Sequence, residues 1–118
     1  MTTLLVLYRA PEGGEAALAT LEARYRDEHL PLVAQTPGLR ATRIWRVREA
    51  LGGETDLVLA AAMDFDDRQS LDDALRSDPM RAAGRILREI APGLATFLVV
   101  EDAPDLLEPP ASGTVALS

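Results

Sequence analysis

The order in which strand-like and helix-like patterns follow one another restricts this 118-residue chain to very few folds. Short apolar or alternating runs predict four strands, at residues 3–8, 39–49, 57–65 and 94–102. Helical spacing begins at residue 15 and again at residue 66, so the order is strand, helix, strand, strand, helix, strand. Right-handed crossovers and hairpin pairing then favour an α+β fold, with one four-stranded antiparallel sheet and the helices on one face. Strands one and three are predicted to be central.

The predicted helices carry their own start and stop signals. Tyr25 and His29 are four residues apart and therefore share one face of the first helix. Pro31 disfavours helical conformation at the residue before it, so this helix is expected to end or kink there. Asp66, in a capping-box arrangement, suits the N-cap of the second helix, and Ser77 suits a fresh helix start.

Three of the strands are apolar on both faces. An antiparallel sheet with one face in water normally alternates apolar and polar residues. The segments "LLVLY", "LVLAAAM" and "ATFLVV" do not alternate. Because two helices cover only one face of a sheet, the second face needs another cover, and the sheet of a second copy is the simplest one. The sequence therefore predicts a two-fold homodimer.

The residue types that are missing exclude several kinds of chemistry. All 12 basic residues are arginine, which excludes a Schiff-base or P-loop lysine. With no cysteine and one histidine, we expect no disulfide, no thiol nucleophile and no metal site. The formal net charge of −7 argues against nucleic-acid binding. No apolar run approaches the roughly 20 residues of a membrane span, so we predict no membrane association and a cytoplasmic location.

The length fits one domain and leaves little for a second. A chain of this size buries roughly two-thirds of the surface that its unfolded form exposes, so a single core is feasible. We assign residues 1–105 to that domain. Residues 106–118, rich in proline and small residues, form a C-terminal tail that is predicted to be loose unless a partner holds it.

His29 is the leading candidate for a catalytic residue. It lies near the predicted end of the first helix, where the helix dipole favours a cation, and Asp27 and Glu28 add negative charge nearby. We therefore expect it to protonate near neutrality and to act as a general acid or base. The alternative is a structural histidine bonded to buried backbone. Tyr25, on the same helix face, could donate a hydrogen bond to a developing oxyanion or pack in the core.

Three further side chains are candidates for substrate binding. Tyr8 and Trp45 could line an apolar pocket and stack on a planar ligand, or fill the core. Arg43 interrupts the apolar face of strand two. It could pair with a substrate carboxylate or with an acidic residue of a partner subunit.

Three stretches of the sequence carry a resemblance to a known family. The first is "YRDEHLPLV" followed by "TPGLR", and the second is "FDDRQSLDDALRSDP", with "LLVLYRAPEG" as a third, weaker match. Together they resemble the EthD family of the dimeric α+β barrel superfamily over residues 3–102. The tail after Asp105 has no clear counterpart in that family.

The resemblance implies a ferredoxin-like subunit and a dimer whose sheets face each other as a barrel. It also implies a cleft in each subunit, lined by the sheet and the end of the first helix, that binds a small organic molecule, often aromatic or lactone-like. Relatives include cofactor-independent isomerases, cyclases and decarboxylases of catabolism or biosynthesis, so the resemblance implies a protein without a cofactor. Three alternatives stay open: a ligand-binding or accessory protein without turnover, a cofactor-free monooxygenase, and a haem-binding version with His29 as axial ligand.

Overall fold

The computed structural model describes residues 1–109 and contains one four-stranded sheet. Its strands are β1 (Thr2–Arg9), β2 (Ala41–Arg46), β3 (Leu57–Phe65) and β4 (Ala95–Glu101). Its helices are α1 (Gly14–Arg24), α2 (Leu30–Val33), α3 (Arg68–Leu75) and α4 (Asp78–Ile90), with a π-helical turn at Tyr25–His29 and a 3₁₀ turn at Pro104–Leu107. The strand order is β2-β3-β1-β4, and every pair is antiparallel. The predicted α+β sheet, with strands one and three in the centre, is confirmed.

The strand register divides the sheet into two sides. Val6 of β1 lies opposite Ala61 of β3 and Phe97 of β4, so these three side chains share the side on which the helices pack. We call this the helix side. Its central residues belong to the single hydrophobic core, whereas Leu5 and its cross-strand neighbour Leu98 project from the opposite, open side. Directly opposite residues in a ladder share a face, so the register fixes this division for every strand residue.

The first helix changes its hydrogen bonding just before Pro31 but does not end there. The Leu30 N–H donates to the carbonyl oxygen of Tyr25, five residues back, which is the π-helical pattern. A proline has no N–H and its ring crowds the carbonyl four residues earlier, and a π-helical turn relieves that crowding. The chain then stays helical to Val33. His29 therefore lies inside a continuous helical segment, and the sequence argument that placed it at a helix C-terminus is corrected.

The caps of the later helices differ from the prediction at one position. The N-cap of α3 is Asp67, not Asp66: Asp67 has extended backbone, and its Oδ1 accepts the Ser70 N–H at 2.8 Å. Asp66 instead forms an ion pair with Arg40 at 2.8 Å. Ser77 is the N-cap of α4, as predicted, and its hydroxyl accepts from the Met80 N–H. Each cap satisfies one backbone donor that a helix start otherwise leaves free.

The predicted second strand and the tail need smaller corrections. Residues 39–49 were expected to form the second strand, but β2 comprises only Ala41–Arg46. The 3₁₀ turn at Pro104–Leu107 crosses the predicted domain boundary at residue 105. The remainder of the predicted tail, residues 110–118, lies outside the described residues. Within residues 1–109, no helix has both the length and the apolar character needed to cross a bilayer.

Candidate functional site

A cavity of about 570 Å³ lies on the helix side, between β4 and α4. It exists because the helices pack over β1 and β3 but leave the helix side of β4 uncovered. Phe97 of β4 is therefore 56% exposed although it points toward the helices. The sheet and the helices contribute apolar lining residues, among them Leu4, Val6, Met63, Leu75, Leu87 and Phe97. The volume falls within the range of small-molecule sites, roughly 300–1,000 Å³.

His29 lines this cavity and is held by one defined hydrogen bond. Its side chain is only 4% exposed, and Nδ1 lies 3.0 Å from the carbonyl oxygen of Ala83 in α4. A carbonyl only accepts, so Nδ1 carries the hydrogen and donates it. In the neutral imidazole the lone pair is then on Nε2, for which residues 1–109 provide no hydrogen-bond partner. Nε2 is therefore the nitrogen that is left to act as a base.

Burial lowers the pKa of His29 below its ordinary value of 6.5. The hydrogen bond to the Ala83 carbonyl raises the pKa, but by less than burial lowers it. The sequence argument expected protonation near neutrality, on the basis of a helix end and of the neighbouring acidic residues. The helix does not end at His29, and Glu28 forms an ion pair with Arg24 at 2.6 Å instead of approaching the imidazole. The imidazole is consequently neutral at neutral pH.

Tyr8, Tyr25 and His29 form one aromatic cluster. The Tyr25 ring stacks on His29 with 4.8 Å between the ring centroids, and it meets Tyr8 edge-on at 5.4 Å. The Tyr8 hydroxyl donates to the Tyr25 hydroxyl at 3.2 Å. Burial raises the pKa of both tyrosines, so both stay protonated. They can position the imidazole and donate hydrogen bonds, but they are not bases.

The other two predicted site residues lie on the open side of the sheet. Trp45 is opposite Ala60, and the Arg43 guanidinium lies 5.4 Å from the centroid of the Trp45 ring. Arg43 also forms an ion pair with Asp64 of its own chain at 3.2 Å. The structure thus brings together Tyr8, Tyr25 and His29, and the sheet separates them from Arg43 and Trp45.

Sequence reasoning did not single out the α4 residues that line the cavity. Arg81, Arg85 and Arg88 lie along it, with Gly84 between them. Their spacing of four and three residues places the arginines on one helix face, and this signal was available in the sequence. In the sequence alone, arginines at this spacing look like ordinary surface residues, because only the tertiary structure shows what their helix face adjoins.

Comparison with solved structures gives close matches to this fold. An ethyl tert-butyl ether D (EthD) family protein from Bacillus halodurans is 31% identical, with a TM-score of 0.79, over 87% of this chain and 99% of that one. A dimeric ferredoxin-like protein from Bacteroides fragilis is 18% identical (TM-score 0.65, 86% and 95% covered). SnoaB, a cofactor-independent oxygenase from Streptomyces nogalater, is 17% identical (TM-score 0.56, 86% and 90% covered).

The last two likenesses are below 25% identity and show the fold alone. No protein-family model and no curated protein matches the sequence. The Bacillus halodurans relative is evidence for the family as well as the fold, because its identity of 31% extends over nearly the whole of its own chain. It confirms the resemblance that the stretches around His29 and Asp67 predicted. At this level of identity and coverage, the chain belongs to the EthD family.

Proposed function

We propose that this protein binds a small organic molecule in the cavity between β4 and α4 and catalyses cofactor-independent proton transfer on it. One observation carries the proposal: an apolar cavity of about 570 Å³ that contains an imidazole with Nε2 free of protein partners among the described residues. The reaction class is isomerisation, cyclisation or decarboxylation. His29 is the general acid or base, and Tyr8 and Tyr25 are positioning residues.

The chemistry follows from the hydrogen bond to Ala83. In an isomerisation, Nε2 takes a proton from a carbon next to a carbonyl and returns it to another carbon, so that no atoms or electrons are gained or lost. The imidazolium formed in between is stabilised by its Nδ1–H···O bond to the Ala83 carbonyl, which favours the charged form. A neutral imidazole is already in the protonation state that a general base requires.

Exchange of substrate hydrogens with solvent deuterium tests the proposal without knowledge of the natural substrate. Unsaturated lactones and aromatic ketones would be incubated with the protein in D₂O and followed by proton NMR. We expect loss of the acidic C–H signal with the native chain and none with His29→Gln, which keeps a donor for the Ala83 carbonyl. Arg48→Gln, an exposed change away from the cavity, is the matched control. Thermal melting of each variant establishes that it is folded.

A ligand-binding role without turnover is the second candidate. It is favoured by the burial of His29 and its bond to backbone, which also suit a purely structural histidine. The single histidine assigns its own imidazole proton signals. Ligands that shift those signals without any C–H exchange would support binding alone and would contradict the catalytic proposal. The cofactor-free oxygenase alternative rests on likeness of fold, and oxygen consumption on addition of an electron-rich aromatic compound would reveal it.

We further propose that two copies pair through the open side of the sheet. Trp45 is 44% exposed and Leu98 is 41% exposed on this side, next to Leu5 and Leu7 of β1. Such an exposed apolar sheet face is unusual for a monomer. The Bacteroides fragilis relative is described as dimeric. Light scattering should give twice the 12.7 kDa chain mass. Leu98→Glu should give the monomer, and a native monomer would contradict this pairing.

A further inference from the structure

Three arginines on α4 line the cavity without a carboxylate partner in the described chain. Arg81, Arg85 and Arg88 follow one face of the helix, and residues 1–109 place no carboxylate oxygen within 4.0 Å of them. We call them the α4 arginines. Seven of the remaining nine arginines do form such ion pairs: Arg24, Arg26, Arg40, Arg43, Arg46, Arg68 and Arg76.

The absence of partners is notable because the chain is rich in acids. It has 19 acidic residues against 12 arginines, so a carboxylate is available to most of its cations. On α4 itself, Glu89 is directed to Arg24, with 3.6 Å between the charged atoms. The one cluster of cations that stays unpaired within residues 1–109 is thus the one that adjoins the cavity. Three like charges on one helix face repel one another, and an anion placed among them would relieve this repulsion.

We propose that the ligand of the cavity is an organic acid, with its carboxylate bound by the α4 arginines and its flat apolar part against the helix side of β1 and β4. A guanidinium presents two parallel N–H donors that match the two oxygens of a carboxylate. Apart from the arginines, His29 and Tyr8, the lining is apolar and includes Leu4, Val6 and Phe97. The site therefore suits a molecule with one anionic end and one apolar end. This inference rests on the proposed binding function and specifies its substrate class.

Gly84 provides a second, independent feature of the same wall. It lies within α4 between the arginines and lines the cavity. The nearest heavy atom to a Cβ built at this position is Nη1 of Arg88 at 3.7 Å, an ordinary contact. Packing within the chain therefore does not require a glycine here, although glycine in a helix interior is unfavourable. The missing side chain leaves room beside the arginines for a bound molecule.

Paired probes that differ only in charge test the inference. The probes are 2-naphthoate, its neutral amide and 2-naphthyl phosphate, and binding is measured by calorimetry and by the shift of the His29 imidazole signals. We expect 2-naphthoate to bind at least about 10-fold more tightly than the amide, as charge-assisted hydrogen bonds imply. The triple change Arg81→Gln, Arg85→Gln and Arg88→Gln should remove that preference for the charged probe. Arg48→Gln, which removes an exposed arginine elsewhere, should leave all three affinities unchanged.

The outcomes separate this inference from the function on which it rests. Equal affinity for 2-naphthoate and the amide, with both shifting His29, would overturn the organic-acid proposal while the binding function stands. Stronger binding of the phosphate than of the carboxylate would also overturn it, in favour of a phosphate ester. If no probe shifts His29, the cavity is not a binding site for such molecules and both proposals fail. A charge preference that persists in the folded triple variant would place the anion site elsewhere.

Discussion

Replacing Gly84 with alanine is expected to stabilise the protein, although the residue lies in the proposed binding cavity. In the interior of a helix, alanine is more favourable than glycine by about 0.8–1.0 kcal/mol. Gly84 is in the middle of α4 (Asp78–Ile90) and has no positive φ, so alanine can adopt its backbone conformation. The added Cβ meets Nη1 of Arg88 at 3.7 Å and has no closer neighbour. The full propensity gain should therefore be realised.

The gain converts into a measurable change in melting temperature. Globular proteins unfold with an entropy of about 2.1 cal/mol/K per residue, or roughly 250 cal/mol/K for a chain of this length. A stabilisation of 0.8–1.0 kcal/mol then raises the melting temperature by about 3–4 °C. Calorimetry or circular dichroism measures it, at one fixed protein concentration because dimerisation also shifts the transition. Ala82→Gly, the reverse change on the same helix, is the matched control and should lower the melting temperature.

The same position separates stability from binding. Gly84→Leu should fill part of the cavity and weaken binding of 2-naphthoate, whereas Gly84→Ala should weaken it less. Gly84→Ala would then raise the melting temperature and lower the affinity for 2-naphthoate. General misfolding does not produce this combination, because it lowers both. A lower melting temperature for Gly84→Ala would refute the reasoning, because it would mean that the methyl group meets an obstacle. Undiminished binding by a folded Gly84→Leu protein would show that the ligand does not occupy this part of the cavity.

Two further perturbations follow from the hydrogen bonds of the site and the caps. Because the pKa of His29 is lowered in the folded state, the unfolded chain binds more protons than the folded chain below about pH 6.5, the ordinary histidine value. The free energy of unfolding should therefore fall as the pH decreases below that value. His29→Gln should flatten this slope in urea titrations, and an unchanged slope would contradict the assignment. Ser77→Ala should lower the free energy of unfolding by about 1 kcal/mol through loss of the α4 N-cap, whereas Ser77→Asp keeps an acceptor and should lose much less. Equal losses for the two Ser77 variants would mean that the cap contributes little.

The strands were predictable because their signals are local. An apolar run such as "LVLAAAM" predicts a buried strand wherever it occurs, and the connection rules then leave few topologies for the order found here. The N-cap at Ser77 was predictable for the same reason, since a cap depends on residues within one turn of it. Asp66 and Asp67 are adjacent, and the carboxylate of either residue could cap the start of a helix. The structure shows that Asp67 caps α3, whereas Asp66 pairs with Arg40, which is distant in sequence.

The properties of His29 were less predictable because they depend on distant backbone. Its neighbours in sequence, Asp27 and Glu28, suggested a raised pKa. In the structure, Asp27 pairs with Arg26 at 2.8 Å, and burial against α4 lowers the pKa of the imidazole. The carbonyl that fixes its tautomer belongs to Ala83, 54 residues along the chain. No local pattern could identify that partner.

The sequence by itself determined the strand and helix order, the central position of β1 and β3, and the presence of apolar residues on both sides of the sheet, since these follow from local periodicity and from chain connectivity. Only the tertiary structure decided which side each candidate residue occupies. The register places Tyr8 on the helix side and Trp45 on the open side. The helices pack over β1 and β3 and leave the helix side of β4 uncovered, which creates the cavity. Such features arise from contacts between residues far apart in sequence, which residue periodicity does not encode.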